Sequence, residues 1–63
     1  MNTLHICKGE QVQVGDKLIL RGAYYTIMHI EDERFGRQVE LRDGSGYSRS
    51  RFITNDEIVT IAL

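Results

Sequence analysis

Proline and tryptophan are absent from this 63-residue chain, and Cys7 is its only cysteine. A single cysteine excludes an intrachain disulfide, so the sequence indicates a reducing compartment. No apolar run approaches the roughly 18 residues of a membrane-spanning helix, and the residues before Lys8 lack the apolar core of a signal peptide. We therefore expect a cytoplasmic protein that does not associate with membranes.

An excess of charge of one sign is also lacking. Nine acidic and eight basic residues leave a net charge of -1, which argues against a general polyanion binder that neutralises many phosphates. A local basic face is still compatible with this balance. The length predicts one domain over residues 1–63, and a chain of this size buries only about 60% of the surface that its unfolded form exposes. Stability should be modest, so the expected solutions are a compact single-core fold, oligomerisation or binding to a larger partner.

The clearest structural signal is a β-hairpin between Gln38 and Phe52. Its centre, Asp43-Gly44-Ser45-Gly46, is a turn sequence whose glycines accept a positive φ angle without a Cβ clash. Alternating strands run into this turn from both sides. With Gly44 and Ser45 at the tip, we expect Arg42 to pair with Tyr47 and Leu41 to pair with Ser48. The same register continues to a pair of Gln38 with Arg51.

That register sorts the hairpin side chains into two faces, because neighbouring residues of a strand point to opposite sides. One face would hold Val39, Leu41, Ser48 and Ser50. The other would hold Gln38, Glu40, Arg42, Tyr47, Arg49 and Arg51. Guanidinium groups fork onto phosphates or carboxylates, and tyrosine is a frequent interface anchor. With the neighbouring loop, the predicted partner-binding residues are Arg42, Tyr47, Arg49, Arg51, Phe35 and Arg37. The alternative is a solvated face on which Glu40 pairs with Arg49.

The run from Tyr24 to Glu31 has the highest β-propensity of the chain. Its apolar residues do not keep one parity, since Tyr25 and Ile27 share one face whereas Met28 and Ile30 share the other. This break predicts either a long strand that bends, with a β-bulge near Met28 or His29, or a strand whose two faces are both partly covered. Tyr24 and Tyr25 are adjacent and must point to opposite faces.

A polar segment, Thr54-Asn55-Asp56-Glu57, separates the hairpin from the β-branched run Ile58 to Leu63. Thr54 and Glu57 have the spacing of a capping box, which predicts one 3₁₀ turn before the last strand. That strand needs a partner for its edge, and homodimerisation through it is one solution. The predicted fold class is all-β: a single five- to six-stranded antiparallel, partly open small barrel.

A resemblance supports this class. The segment Gln11 to Leu20 with its Gly15-Asp16 turn, followed by Tyr25-Thr26-Ile27 and by Val39 to Asp43 before a glycine turn, resembles the superfamily of Src-homology-3-like, KOW and Tudor small barrels. The likeness extends over roughly Val12 to Ile61. The chain lacks the acidic-aromatic peptide-binding signature and a complete aromatic cage. The resemblance therefore implies an interaction module without naming its ligand.

No constellation for catalysis, metal binding or a cofactor is visible in the sequence. His5, Cys7 and His29 are too few for a structural zinc site, and no orienting third group accompanies a Cys7–His29 pair. Our first hypothesis is a non-catalytic module that binds a protein partner as an adaptor or inhibitor, as compact accessory proteins of bacteria and phages do. The alternative is an RNA- or DNA-binding barrel that places the same arginines on phosphates.

Overall fold

The computed structural model describes residues 3–63, which form six β-strands and one 3₁₀ turn, Gly9–Gln11. The strands are β1 (Leu4–Lys8), β2 (Lys17–Leu20), β3 (Ala23–Asp32), β4 (Gly36–Arg42), β5 (Ser48–Thr54) and β6 (Ile58–Ala62). Every pairing between them is antiparallel. The predicted all-β class is therefore confirmed. None of the described residues belongs to a helix that could cross a membrane.

The strands form one sheet in the order β1-β6-β2-β3-β4-β5. Strands β2 to β5 follow one another as a meander, whereas β6 returns to lie between β1 and β2. The sheet is not closed, consistent with a partly open small barrel, and its two edges are β1 and β5. Both edges of β6 are already paired, so a homodimer through this strand would have to use its outward face, where Ile58 is exposed.

One hydrophobic core occupies the inner side of the curved sheet. Its buried members are Cys7, Val12, Leu18, Ile27, Val39, Leu41, Ile53, Val59 and Ile61. Leu20, Tyr25 and Ile30 are partly buried against it. Because Tyr25 faces the core, its neighbour Tyr24 faces outward and is half exposed. Leu4, Ile6 and Ile58 lie on the outer side of the same sheet and stay exposed.

The predicted bulge in β3 is confirmed. The register between β3 and β4 shifts between Ile27 and His29, so that Ile27 pairs with Leu41 and Ile30 pairs with Val39. Met28 is the extra residue, and inserting one residue restores the inward direction of Ile30. The break in parity along the sequence thus becomes a single core-facing row in the folded strand.

The 3₁₀ turn lies at a different place from the one predicted. Asn55 and Asp56 form a simple hydrogen-bonded turn before β6, whereas the 3₁₀ turn Gly9–Gln11 follows β1. The Glu57 carboxylate does accept a hydrogen bond from the Thr54 N–H at 3.2 Å, and the Glu57 N–H reaches the Thr54 carbonyl. With only two residues between them, these bonds close a turn and no helical segment.

The 3₁₀ turn ties the first strand to the far end of the hairpin. The Gly9 N–H donates to the Glu57 carbonyl at 2.8 Å, and the Glu10 N–H donates to the Asn55 carbonyl at 3.0 Å. Gly9 is buried, and a Cβ there would overlap the Thr54 carbonyl and the Ile53 side chain. We call the contact of Gly9, Gly36, Arg37 and Ile53 the closed corner, since it holds the ends of the open sheet together.

The hairpin β4–β5 is confirmed, but the predicted register is wrong by one residue. Arg42 pairs with Ser48 and Leu41 pairs with Arg49. The loop has three residues, because the Asp43 N–H bonds the Tyr47 carbonyl at 3.0 Å and the Gly46 N–H bonds the Asp43 carbonyl at 3.1 Å. Gly46 has φ +92°. The last residue of a three-residue hairpin loop adopts a positive φ, which glycine accepts most easily.

Candidate functional site

The corrected register moves the β5 side chains to the opposite face from the one predicted, because a slip of one residue reverses every side chain of a strand. Arg49 lies opposite Leu41 and Arg51 lies opposite Val39. Residues paired in this way project to the same side of a sheet. Arg49 and Arg51 therefore lie on the core side, at the open edge, and Arg42 lies on the outer side.

The six predicted partner-binding residues consequently do not form one surface. Arg42 lines an outer groove of about 530 Å³ together with Lys17, Tyr24 and Thr26. Tyr47 and Phe35 are both strongly exposed, at 79% and 73%, in the loops at opposite ends of β4. Only Arg49 and Arg51 are brought together, on one strand.

Arg49 and Arg51 line a second concavity, of about 440 Å³, at the open side of the barrel. Its lining consists of Leu20, Arg21, Ala23, Tyr25, Arg49 and Arg51. The Arg49 guanidinium lies 5.7 Å from the centre of the Tyr25 ring, within the range of a cation–π contact. We call Arg21, Tyr25, Arg49 and Arg51 the basic mouth, because three arginines line this concavity together with one partly buried aromatic ring.

Arg21 contributes to the mouth from a two-residue turn between β2 and β3. Leu20 pairs with Ala23, so Arg21 and Gly22 form the turn, with φ +49° and +79°. Two-residue hairpin turns of this hand prefer asparagine, aspartate or glycine at both positions. An arginine in the left-handed region is strained by roughly 1–2 kcal/mol. Such strain at an exposed position points to a role outside folding.

The sequence carries a signal for the position of Arg21. Gly22-Ala23 predicts a tight connection between a short apolar strand and the tyrosine-rich strand, and in the structure the turn lies one residue earlier, at Arg21-Gly22. A tight turn here places Arg21 beside the start of β3, and hence near Tyr25. Arg21 lines the same concavity as Arg49 and Arg51 because the sheet coils. Local sequence patterns do not predict that coiling.

The electrostatics of the basic mouth are strongly asymmetric. Arg51 forms an ion pair with Glu57 at 3.2 Å, and the same carboxylate also accepts from the Thr54 N–H. Within residues 3–63, Arg21 and Arg49 have no carboxylate within ion-pair distance. Two of the three guanidinium groups thus lack a carboxylate partner among the described residues, while Arg51 shares its charge with one acid.

Arg37 has an internal role. Its Nη1 donates to the Gly9 carbonyl at 3.0 Å and to the Val12 carbonyl at 2.7 Å. Its Nε donates to Asp32 at 3.0 Å, and the side chain is only 15% exposed. These bonds satisfy carbonyls beside the core, so Arg37 fastens the closed corner and takes no part in the basic mouth.

Asp43 fixes the geometry of the hairpin loop. Its Oδ1 accepts hydrogen bonds from the Ser45 hydroxyl at 2.8 Å, the Ser45 N–H at 2.9 Å and the Tyr47 N–H at 3.0 Å. The bond from the Ser45 hydroxyl, helped by backbone N–H groups, lowers the pKa of Asp43 below its ordinary value. The ionised carboxylate therefore holds the three-residue loop that sets the register of β5.

Cys7 is a buried free thiol in the core. Burial raises the pKa of Cys7, and the negative charge of Asp16 raises it further, so the thiol stays protonated and weakly nucleophilic at neutral pH. Over residues 3–63, no group of three or more His, Cys, Asp or Glu side chains could hold a metal ion.

Comparison with models of known protein families, with curated protein sequences and with solved structures finds no match to this chain. The resemblance to small-barrel interaction domains thus has its support in the fold class alone.

Proposed function

We propose that this protein is a non-catalytic binding module that recognises an acidic segment of a protein partner through the basic mouth, acting as an adaptor or an inhibitor. The observation that carries the proposal is that Arg21, Arg49 and Arg51 line one concavity of about 440 Å³ together with Tyr25. Among residues 3–63, only one carboxylate, that of Glu57, is paired with these three cations.

The mouth suits carboxylate groups held close together. Guanidinium groups bind carboxylates through two parallel N–H donors, and such charge-assisted bonds are about twice as strong as neutral ones. Arg49 rests against Tyr25, so the ring limits the freedom of this side chain before binding. A cation held in place loses less conformational entropy when a ligand arrives.

The charge balance favours a protein partner over a nucleic acid. The whole chain carries a net charge of -1, and Glu31, Asp32 and Glu33 lie together in the sequence just before β4. A local positive potential, such as that of the basic mouth, attracts a short acidic segment to one place. Binding along a nucleic-acid backbone instead draws its affinity from many phosphate contacts, and the mouth offers three cations.

A reducing compartment is compatible with the proposal. Cys7 is a free thiol buried among apolar side chains, and nothing in the described fold requires a disulfide. We therefore propose a cytoplasmic location for the module.

The test is an affinity pull-down from a nuclease-treated lysate with three baits: wild type, an Arg21→Gln/Arg49→Gln/Arg51→Gln variant and a matched Arg42→Gln variant. Glutamine removes the charges but keeps most of the side chain. We expect a protein band with wild type and Arg42→Gln that is lost with the triple variant, because Arg42 lies on the other side of the sheet.

A band retained by the triple variant would overturn the proposal. So would recovery of nucleic acid from an untreated lysate with no protein band surviving nuclease treatment, which would favour an RNA- or DNA-binding barrel. A steep fall of that recovery with added salt would identify the phosphates as the ligand.

A further inference from the structure

Strand β5 is a free edge of the sheet, and it carries two of the three cations of the basic mouth. It pairs only with β4. In an antiparallel pair, hydrogen-bonded and non-hydrogen-bonded residue pairs alternate. The bond from the Asp43 N–H to the Tyr47 carbonyl fixes the phase, so Arg49 and Arg51 bond to β4. The main-chain groups of Ser48, Ser50 and Phe52 point away from it.

No hydrogen bond joins these outward groups to another residue in the described range 3–63. The 3₁₀ turn covers only the far end of β5, where Gly9 packs against Ile53 and Thr54. From Ser48 to Phe52 the edge therefore presents alternate N–H donors and carbonyl acceptors. This is the main-chain pattern to which an extended peptide adds as a further strand.

The side chains of the edge determine which strand can be added. If a second copy paired antiparallel through β5, Arg49 and Arg51 would face the same arginines of the other copy, and like charges opposite each other are destabilising. Arginines on an edge strand thus oppose self-pairing. They favour a strand that carries carboxylates at the facing positions.

We propose that the acidic segment binds by adding to β5 as a seventh, antiparallel strand, with two carboxylates separated by one residue lying opposite Arg49 and Arg51. This inference rests on the proposed function, and it specifies the conformation and spacing of the ligand. Every pairing in the sheet is antiparallel, and the added strand continues that pattern.

The geometry assigns a role to each position of the added segment. Its acidic residues share the side of Arg49 and Arg51, where Arg21 also lines the concavity. The intervening residue lies opposite Ser50 and exchanges main-chain hydrogen bonds with it. Side chains of the intervening positions project to the outer side, beside Ser48, Ser50 and the partly exposed ring of Phe52.

The first probe is a nine-residue fluorescent peptide in which glutamate alternates with valine and threonine, measured by fluorescence anisotropy. Its control has the same composition but places all its glutamates next to one another. An added strand points only alternate side chains at the arginines, so we expect the alternating peptide to bind at least tenfold more tightly.

The second probe tests the main-chain bonds by N-methylation of the alternating peptide. Methylation of the intervening residues removes the N–H groups that face β5, whereas methylation of the glutamates removes N–H groups that face away. We expect at least a tenfold loss of affinity in the first case and little change in the second. A loss confined to methylated glutamates would overturn the antiparallel arrangement.

Ser50→Pro tests the protein side of the same bonds. The Ser50 N–H points away from β4, so proline removes an outward donor without breaking the ladder, as it can on edge strands. Ser50→Ala is the matched control. We expect Ser50→Pro to weaken the alternating peptide at least tenfold and Ser50→Ala to leave its affinity unchanged. If Ser50→Pro does not fold, the methylated peptides give the same information on the wild-type protein.

The outcomes separate this inference from the proposed function. If the alternating and clustered peptides bind equally, and both lose affinity in Arg49→Gln/Arg51→Gln, the mouth binds acidic segments without strand addition and only this inference fails. If neither peptide binds and the lysate pull-down shows no arginine-dependent band, the proposed function fails with it.

Discussion

The two ends of the β4–β5 hairpin use arginine in opposite ways. At the closed corner, Arg37 gives hydrogen bonds to two carbonyls and one carboxylate inside the molecule and is 15% exposed. At the basic mouth, Arg49 has no carboxylate within ion-pair distance in residues 3–63, and its guanidinium group lies over the Tyr25 ring. The same residue type fastens the fold at one end and lines an open concavity at the other.

This difference teaches that a count of arginines along a strand does not define a site. Arg37 belongs to the same sequence cluster as Arg42, Arg49 and Arg51, and only the location of its acceptors distinguishes it. Gly9 and Val12 lie far from Arg37 in the sequence. An arginine whose acceptors lie within the protein stabilises the fold and is not available to a ligand. Substitutions at the closed corner should therefore lower stability, and substitutions at the basic mouth should lower binding.

The largest expected effect is at the closed corner. In Gly9→Ala, the new Cβ would overlap the Thr54 carbonyl and the Ile53 side chain, and we expect a loss of about 3 kcal/mol of unfolding free energy. Gly44→Ala is the matched control, since a Cβ there meets nothing within 4 Å. Chemical denaturation of both variants measures the difference, and equal midpoints would mean that the corner is not tightly packed.

The next effect compares the two arginines directly through Arg37→Met and Arg49→Met. Methionine keeps an apolar stem but removes every donor. Arg37→Met leaves the Gly9 and Val12 carbonyls without this partner, so we expect a loss of about 1–3 kcal/mol. Arg49→Met should change stability by less than about 0.5 kcal/mol. Similar losses in thermal denaturation would remove the distinction between corner and mouth.

A smaller effect of opposite sign is expected at Arg21. Arg21→Gly relieves the strain of a left-handed arginine and should raise the unfolding free energy by about 0.5–1 kcal/mol. The same change removes a cation from the mouth and should weaken binding of the alternating glutamate peptide. Chemical denaturation tests the expected gain in stability, and fluorescence anisotropy on the same sample tests the expected loss of peptide affinity. A variant that is more stable and binds equally well would exclude Arg21 from the site.

The smallest effect concerns the loop that joins β4 to β5. The pKa of Asp43 is lowered in the folded state by its hydrogen bonds, so its contribution is present above its ordinary pKa and is lost as the pH falls through the lowered value. We expect the melting temperature of wild type to fall more steeply than that of Asp43→Asn over this acidic range. Parallel curves would show that the carboxylate does not hold the loop.

The elements that local patterns control were predictable from the sequence. Alternation and turn residues located the hairpin, and the parity break between Ile27 and Met28 located the bulge, because these signals act over a few residues. The loop Gly44-Ser45-Gly46 is compatible with two lengths. The wrong choice reversed the β5 faces and joined Arg42 to Arg49 and Arg51 on one predicted surface.

The remaining features depend on contacts between distant parts of the chain. The position of β6 between β1 and β2 follows from how three short strands bury their apolar sides together, which no single segment encodes. The 3₁₀ turn was missed because Gly9-Glu10 marks the end of a strand equally well. In the fold, the 3₁₀ turn is held by a hydrogen bond from the Lys8 N–H to the Gln11 side chain at 2.8 Å. Arg37 adds hydrogen bonds to the Gly9 and Val12 carbonyls.

The place of β6 in the sheet also orders events during synthesis. Leu4 pairs with Ala62, and Lys8 pairs with Ile58, so β1 has no strand partner until β6 has been made. The meander β2 to β5 needs only neighbouring segments and can form first, since contacts close in sequence form fastest. While a ribosome still holds the residues of β6, the nascent chain has a hairpin meander with an unpaired first strand. Completion of the sheet is therefore a step that follows translation of β6.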